Sequence, residues 1–191
     1  MQWNRELLMF LGAIIFVFGV AMVSSSRQGV CATKNIKQLI VTSKSFVHDQ
    51  RLSDDYTCQG KNISPHLAWA NVPQGTKSFA IICDDPDAPA GTWVHWVIFN
   101  IPAMVLDLSE GVPNHAILSN GARQGKNDFG KLGYGGACPP QGHGDHRYFF
   151  KVYALDTMLD QPFGIGKAEL ERAMEGHVLA DGQIIGTYSR V

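Results

Sequence analysis

Charge is scarce in this chain, and what there is cancels. Charged residues make up 17% of the 191 positions and the formal net charge is -1. The lysines and arginines are scattered, with no basic stripe to track a phosphate backbone, so nucleic acid is excluded as a partner. The four cysteines fall in no CxxC pattern, which leaves no spacing-based signal for a zinc site. Strand-like runs do not alternate with helical ones, which argues against a parallel α/β sheet. There is no internal repeat and no low-complexity tract, so solenoid and disordered classes fall away. What remains is apolar content of 45%, enough at this length for one domain with a real core.

The N-terminus differs in kind. Leu7 to Val23 is an unbroken apolar run behind Arg5, followed by Ser24, Ser25 and Ser26. Residues 1–32 therefore read as a signal peptide, with cleavage after Ser26 or Ala32, or as a membrane anchor through 7–23. The expected location is exported, periplasmic or extracellular, or else membrane-anchored, with membrane contact only through this segment. Residues 33–191 form the expected folded domain. Cleavage after Ala32 leaves Cys58, Cys83 and Cys138, and an oxidising compartment permits one disulfide among them. Cys83 lies in an apolar run and reads as core. Cys58 and Cys138 sit in turn-rich segments and form the candidate pair.

Strand signals dominate the domain. Gln38–Thr42, His66–Trp69, Lys77–Asp84, Trp93–Ile101, Tyr148–Asp156 and Gln183–Arg190 each read as a strand bounded by turn residues. Lys77–Asp84 and Trp93–Ile101 carry successive apolar residues, as expected of central strands buried on both faces. Lys167–Glu175 has Leu170, Ala173 and Met174 at helical spacing, with Gly176 as a stop. Ser109–Gly136 is a long, Gly- and Asn-rich stretch expected to be a loop.

Two stretches carry chemistry. Asp84-Asp85-Pro86-Asp87-Ala88-Pro89 runs into Trp93-Val94-His95-Trp96, and Tyr134 to Tyr148 offers Gly135, Gly136, Cys138, Pro139, His143, His146 and Arg147. With period-2 geometry, Trp93, His95, Val97 and Phe99 share one strand face, and His146, Tyr148 and Phe150 share another. A histidine then opens each strand with an aromatic residue two places on. Asp85 and Asp87 would fix the tautomers of the two rings and favour their protonated forms. Each feature also has an ordinary explanation: Asp and Pro are common in turns, and a lone His often ends a strand. The repetition of the pattern favours one shared pocket. The Gly pair before Cys138-Pro139-Pro140 permits a cis X-Pro bond and an amide nest for an anion.

Asp85-Pro86-Asp87-Ala88-Pro89, Trp93-Val94-His95-Trp96, Tyr134-Gly135-Gly136, Pro139-Pro140-Gln141-Gly142 and His146-Arg147-Tyr148 resemble the two signature regions of the phosphatidylethanolamine-binding protein family, which includes Raf kinase inhibitor protein. Asn127-Asp128-Phe129-Gly130 and the tail from Gly176 to Tyr188 are similar to its bacterial branch. The resemblance implies a mainly β fold: a large central antiparallel sheet, a smaller second sheet and a few peripheral helices. It also implies a ligand-binding pocket for phosphate or phosphoryl head groups, lined by Asp85, Asp87, Trp93, His95, Gly136, Pro139, His146 and Tyr148. No closing helix follows Arg190, so the lipid preference and kinase regulation of animal members do not carry over with it.

The leading expectation is a non-enzymatic binding or regulatory protein for a small phosphorylated or anionic ligand, with no metal and no cofactor. A third expectation is an inhibitor acting by surface contact, with a kinase or protease as its protein partner. The alternative is a hydrolase or other acid–base enzyme built on the Asp/His cluster, with Cys138 as the one candidate nucleophile. If protonated imidazoles hold the anion, binding weakens as pH rises through the histidine range.

Overall fold

The structure is a computed structural model that describes residues 36–190. The signal peptide or anchor expected within residues 1–32, and the domain start at 33, lie outside the described residues.

The apolar runs on either side of the Asp/Pro turn become the two longest buried strands. β5 (Ser78–Asp85) is buried at every position, and β6 (Trp93–Pro102) at all but its two ends. In chain order the other elements are β1 (Lys37–Gln38), β2 (Ile40–Thr42), β3 (Gln50–Arg51), β4 (Leu67–Ala70), β7 (Asp107–Leu108), β8 (Arg123–Gln124), β9 (His146–Leu155), α1 (Lys167–Met174) and β10 (Val178–Tyr188). A 3-10 turn covers Asp54–Tyr56. The fold is mainly β, with one large and one small sheet.

The large sheet runs β1-β10-β9-β5-β6-β8, with β3 also paired to β10. Its central ladders are antiparallel, but β1 and β3 both pair parallel to the outer edge of β10, so the sheet is mixed. The small sheet, β2-β4-β7, is antiparallel. Gln38–Thr42 is not a single strand: Gln38 ends β1 in the large sheet and Ile40 starts β2 in the small one. Leu39 makes the crossing, 2% exposed, with its N–H donating to Asp181 O at 2.8 Å. Its carbonyl lies 2.4 Å from where a Cβ on Gly182 would stand, so only glycine admits this approach.

Because side chains alternate along β5, the sheet separates two cores. Phe79, Ile81 and Cys83 join Trp96, Ile98, Phe150 and the small sheet's Leu67 and Trp69 on one face. Ala80 and Ile82 join Val97, Phe99 and the helix residues Leu170 and Met174 on the other. Each Val, Leu, Ile, Phe or Met among these contributes about 2 kcal/mol on full burial. Helix α1 starts with Glu169 accepting from the Gly166 N–H at 2.9 Å, a one-sided cap for a donor the helix cannot satisfy internally.

The expected loop 109–136 contains β8, which pairs Gln124 with Ile98. Among the described residues there is one α-helix where a few peripheral helices were expected. None is long and apolar enough to cross a membrane.

Candidate functional site

Strand pairing brings the two motif stretches together. β5 lies between β6 and β9 and runs antiparallel to both, so its last residues sit beside the first residues of each neighbour. Asp85 is opposite Trp93, and Asp84 is opposite Phe149. One end of the sheet's strands thus collects an acid from β5, a histidine from β6 and a histidine from β9.

A bulge aims the first histidine. Cys83 pairs with Trp96 and the next residue, Asp84, pairs with Val94, which leaves His95 as the extra residue on its strand. The alternation inferred from the sequence therefore breaks here. Val97 and Phe99 belong to the helix-side core, whereas His95 meets Tyr148 edge-on, 5.1 Å between centroids, on the opposite face. An unpaired bulge residue twists its strand and re-aims its side chain. Asp128 fixes the start of β6 by accepting the Val94 N–H at 2.7 Å.

Gly135 fixes the ring. Its N–H donates to the His95 carbonyl at 2.8 Å, and its carbonyl accepts from His95 Nδ1 at 2.7 Å. A Cβ on Gly135 would stand 2.7 Å from the Phe129 ring, which itself packs edge-on against His95 at 5.3 Å. His95 is 3% exposed, and this burial pushes its pKa below the ordinary value despite the carbonyls of Gly135 and Gly136 and the charges of Asp85 and Asp128.

The second histidine is held by the acid. His146 Nδ1 donates to Asp85 Oδ2 at 2.7 Å, both groups being buried. Its Nε2 faces His143 Nδ1 at 2.8 Å, so carboxylate, imidazole and imidazole form one chain. Asp87 holds neither ring. It accepts from the Arg147 backbone N–H and binds the Arg147 guanidinium, which lowers its pKa to about 2. Of the two carboxylates expected to set the tautomers, only Asp85 touches an imidazole. The Gly135 carbonyl does the work expected of the other.

Around these groups lies a cavity of about 260 Å³, lined by Asp85, Trp93, His95, Pro139 and His146, together with Ala88, Pro89, Ala90, Phe129, Cys138 and Pro140. Tyr148 lies behind the His95 ring, and its buried hydroxyl has no hydrogen-bond partner; the same holds for Trp93 Nε1. Gly136 turns away, its N–H donating to Asn62 Oδ1 at 2.6 Å, and lines a neighbouring hollow of about 350 Å³ with Asn114, Asn127 and Lys131. Of the eight residues expected to line the pocket, Asp87, Gly136 and Tyr148 do not reach its surface. The peptide bonds before Pro139 and Pro140 are trans.

Phe129 and the disulfide between Cys58 and Cys138 form the wall between the two hollows. Cys83 is a free, fully buried thiol whose pKa burial pushes well up. Gly135, Phe129 and Pro140 were not singled out from the sequence as site residues. The signal for Phe129 was present in Asn127-Asp128-Phe129-Gly130, a polar turn around an exposed aromatic. Among the described residues no group of three or more His, Cys, Asp or Glu side chains is placed to hold a metal ion.

Comparison with known proteins agrees with this geometry. A "UPF0098 protein" of Aquifex aeolicus is 52% identical over 151 residues, which is 78% of this chain and 88% of that one. Two crystal structures superimpose well, each over 81% of this chain and 99% of its own. They are the Chlamydia trachomatis homologue CT736, at 37% identity and a TM-score of 0.73, and Escherichia coli YbcL, at 38% and 0.75. The latter is described as a member of the mammalian PEBP family. The sequence profile described as "Phosphatidylethanolamine-binding protein" matches residues 42–189, the span that carries every residue of the cavity. On these grounds the chain belongs to the phosphatidylethanolamine-binding protein family.

Proposed function

We propose that the protein binds a small oxyanion, a phosphate or a phosphoryl group, in the cavity between β5, β6 and β9, and that it acts by binding and not by catalysis. One observation carries this reading: two imidazoles and a buried carboxylate, from three different strands, open into one apolar-walled cavity of about 260 Å³. That volume is slightly below the range for drug-sized ligands and suits a head group. His146 is oriented by Asp85 toward the position a ligand oxygen would take. The Tyr148 hydroxyl and Trp93 Nε1 are further donors close by without partners.

Catalysis is disfavoured by the lining. No Ser or Thr faces the cavity, and the sulfur of Cys138 is committed to Cys58. The Asp85–His146–His143 chain is the feature that favours an acid–base enzyme as the second reading. An exported location is part of the proposal, supported by the disulfide.

Titration of the full chain with inorganic phosphate, followed by phosphorus NMR, tests the reading. Saturable binding that His146→Ala weakens by about tenfold or more, the loss of one charge-assisted hydrogen bond, is expected. Absence of binding would overturn it. Release of phosphate from an aryl phosphate, abolished by His146→Ala, would move the assignment to the enzyme reading.

A further inference from the structure

The hydrogen bond to Gly135 decides what His95 can offer a ligand. A carbonyl accepts only, so the proton of the neutral ring stands on Nδ1 and the cavity-side nitrogen, Nε2, is a lone pair. The ring is held in this sense from several sides. Phe129 and Tyr148 pack edge-on against it, and the Gly135 N–H ties its backbone. The ionisable groups facing it are Asp85, Asp128 and Tyr148. The acids favour a second proton, but burial outweighs them. His146 is bound differently. Its Nδ1–H donates to the Asp85 carboxylate, so the neutral ring accepts at Nε2 from Nδ1–H of His143, an exposed side chain between Gly142 and Gly144, both at positive φ, and only the imidazolium carries an Nε2–H to donate.

A bare anionic oxygen meets repulsion at His95 Nε2, and the Asp85 carboxylate adds to it. An acidic hydroxyl meets an acceptor. Resting on the oxyanion reading above, we propose that the cavity selects a half-protonated oxyacid, a phosphate monoester monoanion being the fitting class, whose P–OH donates to His95 Nε2 while a P–O⁻ accepts from the Nε2–H of an imidazolium His146 in place of His143. A phosphodiester carries the same single charge but has no hydroxyl to donate. The geometry thus separates two ligands that charge alone does not.

The test compares methyl phosphate with dimethyl phosphate on the full chain, by phosphorus NMR titration at mildly acidic and mildly alkaline pH. Methyl phosphate is expected to bind at least about tenfold tighter than dimethyl phosphate at the acidic pH, the size of one buried hydrogen bond. Relative to dimethyl phosphate, its affinity should fall by about tenfold per pH unit above its second ionisation, near 6. His95→Gln, whose amide can turn an N–H toward the cavity, should bring the two probes to within about twofold. His143→Ala should strengthen both probes alike, because it frees His146 Nε2. Equal affinity of the two probes for the native chain, or an unchanged preference in His95→Gln, overturns the inference and leaves the oxyanion reading standing. Binding of neither probe at either pH overturns both.

Discussion

Asp84 and Asp85 are adjacent in the chain and serve opposite faces of the large sheet. Asp85 faces the cavity and holds the His146 ring. Asp84, 1% exposed, points the other way and binds Lys151 Nζ at 2.8 Å and the ammonium of Lys167, at the first turn of α1. Both carboxylates are buried and both are paired. The difference lies in what each partner does next. Lys167 belongs to a helix whose Leu170 and Met174 close the second core, so the Asp84 pair fastens one layer to another. His146 presents a second nitrogen to an exposed, glycine-flanked side chain, so the Asp85 pair leads outward to the cavity. Burial of a charge therefore does not itself mark a functional site; the partner's remaining valence does.

Three substitutions break or sharpen this contrast. Asp84→Ala leaves two ammonium groups without their shared partner and should cost about 3 kcal/mol in urea unfolding. Phosphate affinity should change by less than about twofold, since the mutation lies on the reverse face. A parallel collapse of binding would erase the distinction between the faces. Asp85→Asn should be milder for stability, about 2 kcal/mol, the loss of one charge-assisted hydrogen bond. It should nonetheless weaken phosphate binding by about tenfold or more, because His146 loses the group that fixes its tautomer. Asp87→Ala should have the smallest effect, a modest loss of stability that depends on pH. The folded Asp87 titrates at about 2, below its ordinary 3.8, because of Arg147. Its contribution is thus present above the ordinary value and lost as pH falls through about 2. Native and variant stability curves should differ near neutrality and merge toward pH 2, with phosphate affinity unchanged.

The parts of the site that rest on chain direction could be read from the residues. Asp85 ends one buried run and His146 opens another, and antiparallel pairing places such ends side by side. The three central strands and the helix were likewise visible through apolar runs and helical spacing. His95 lies on the strand face opposite to the one its alternation implies, because a bulge leaves no mark in Trp93-Val94-His95-Trp96, which reads as continuous alternation. The Asp87–Arg147 bridge joins residues 60 positions apart, and no local pattern announces it. Gly135 was passed over for Gly136 because the two are equivalent by composition. Only the pairing of the Gly135 peptide with His95 separates them.

The crossing at Leu39 carries a mechanical implication. Any pull transmitted through residues before Ile36 enters the domain at β1, which grips β10 over only Lys37 and Gln38. Just beyond, the backbone of Leu39 is locked against Gly182, and the following strand belongs to a different sheet. Tension should first unzip those two rungs and then stall at the Leu39 buttress, sparing β5, β6 and the cavity at the far side of β9.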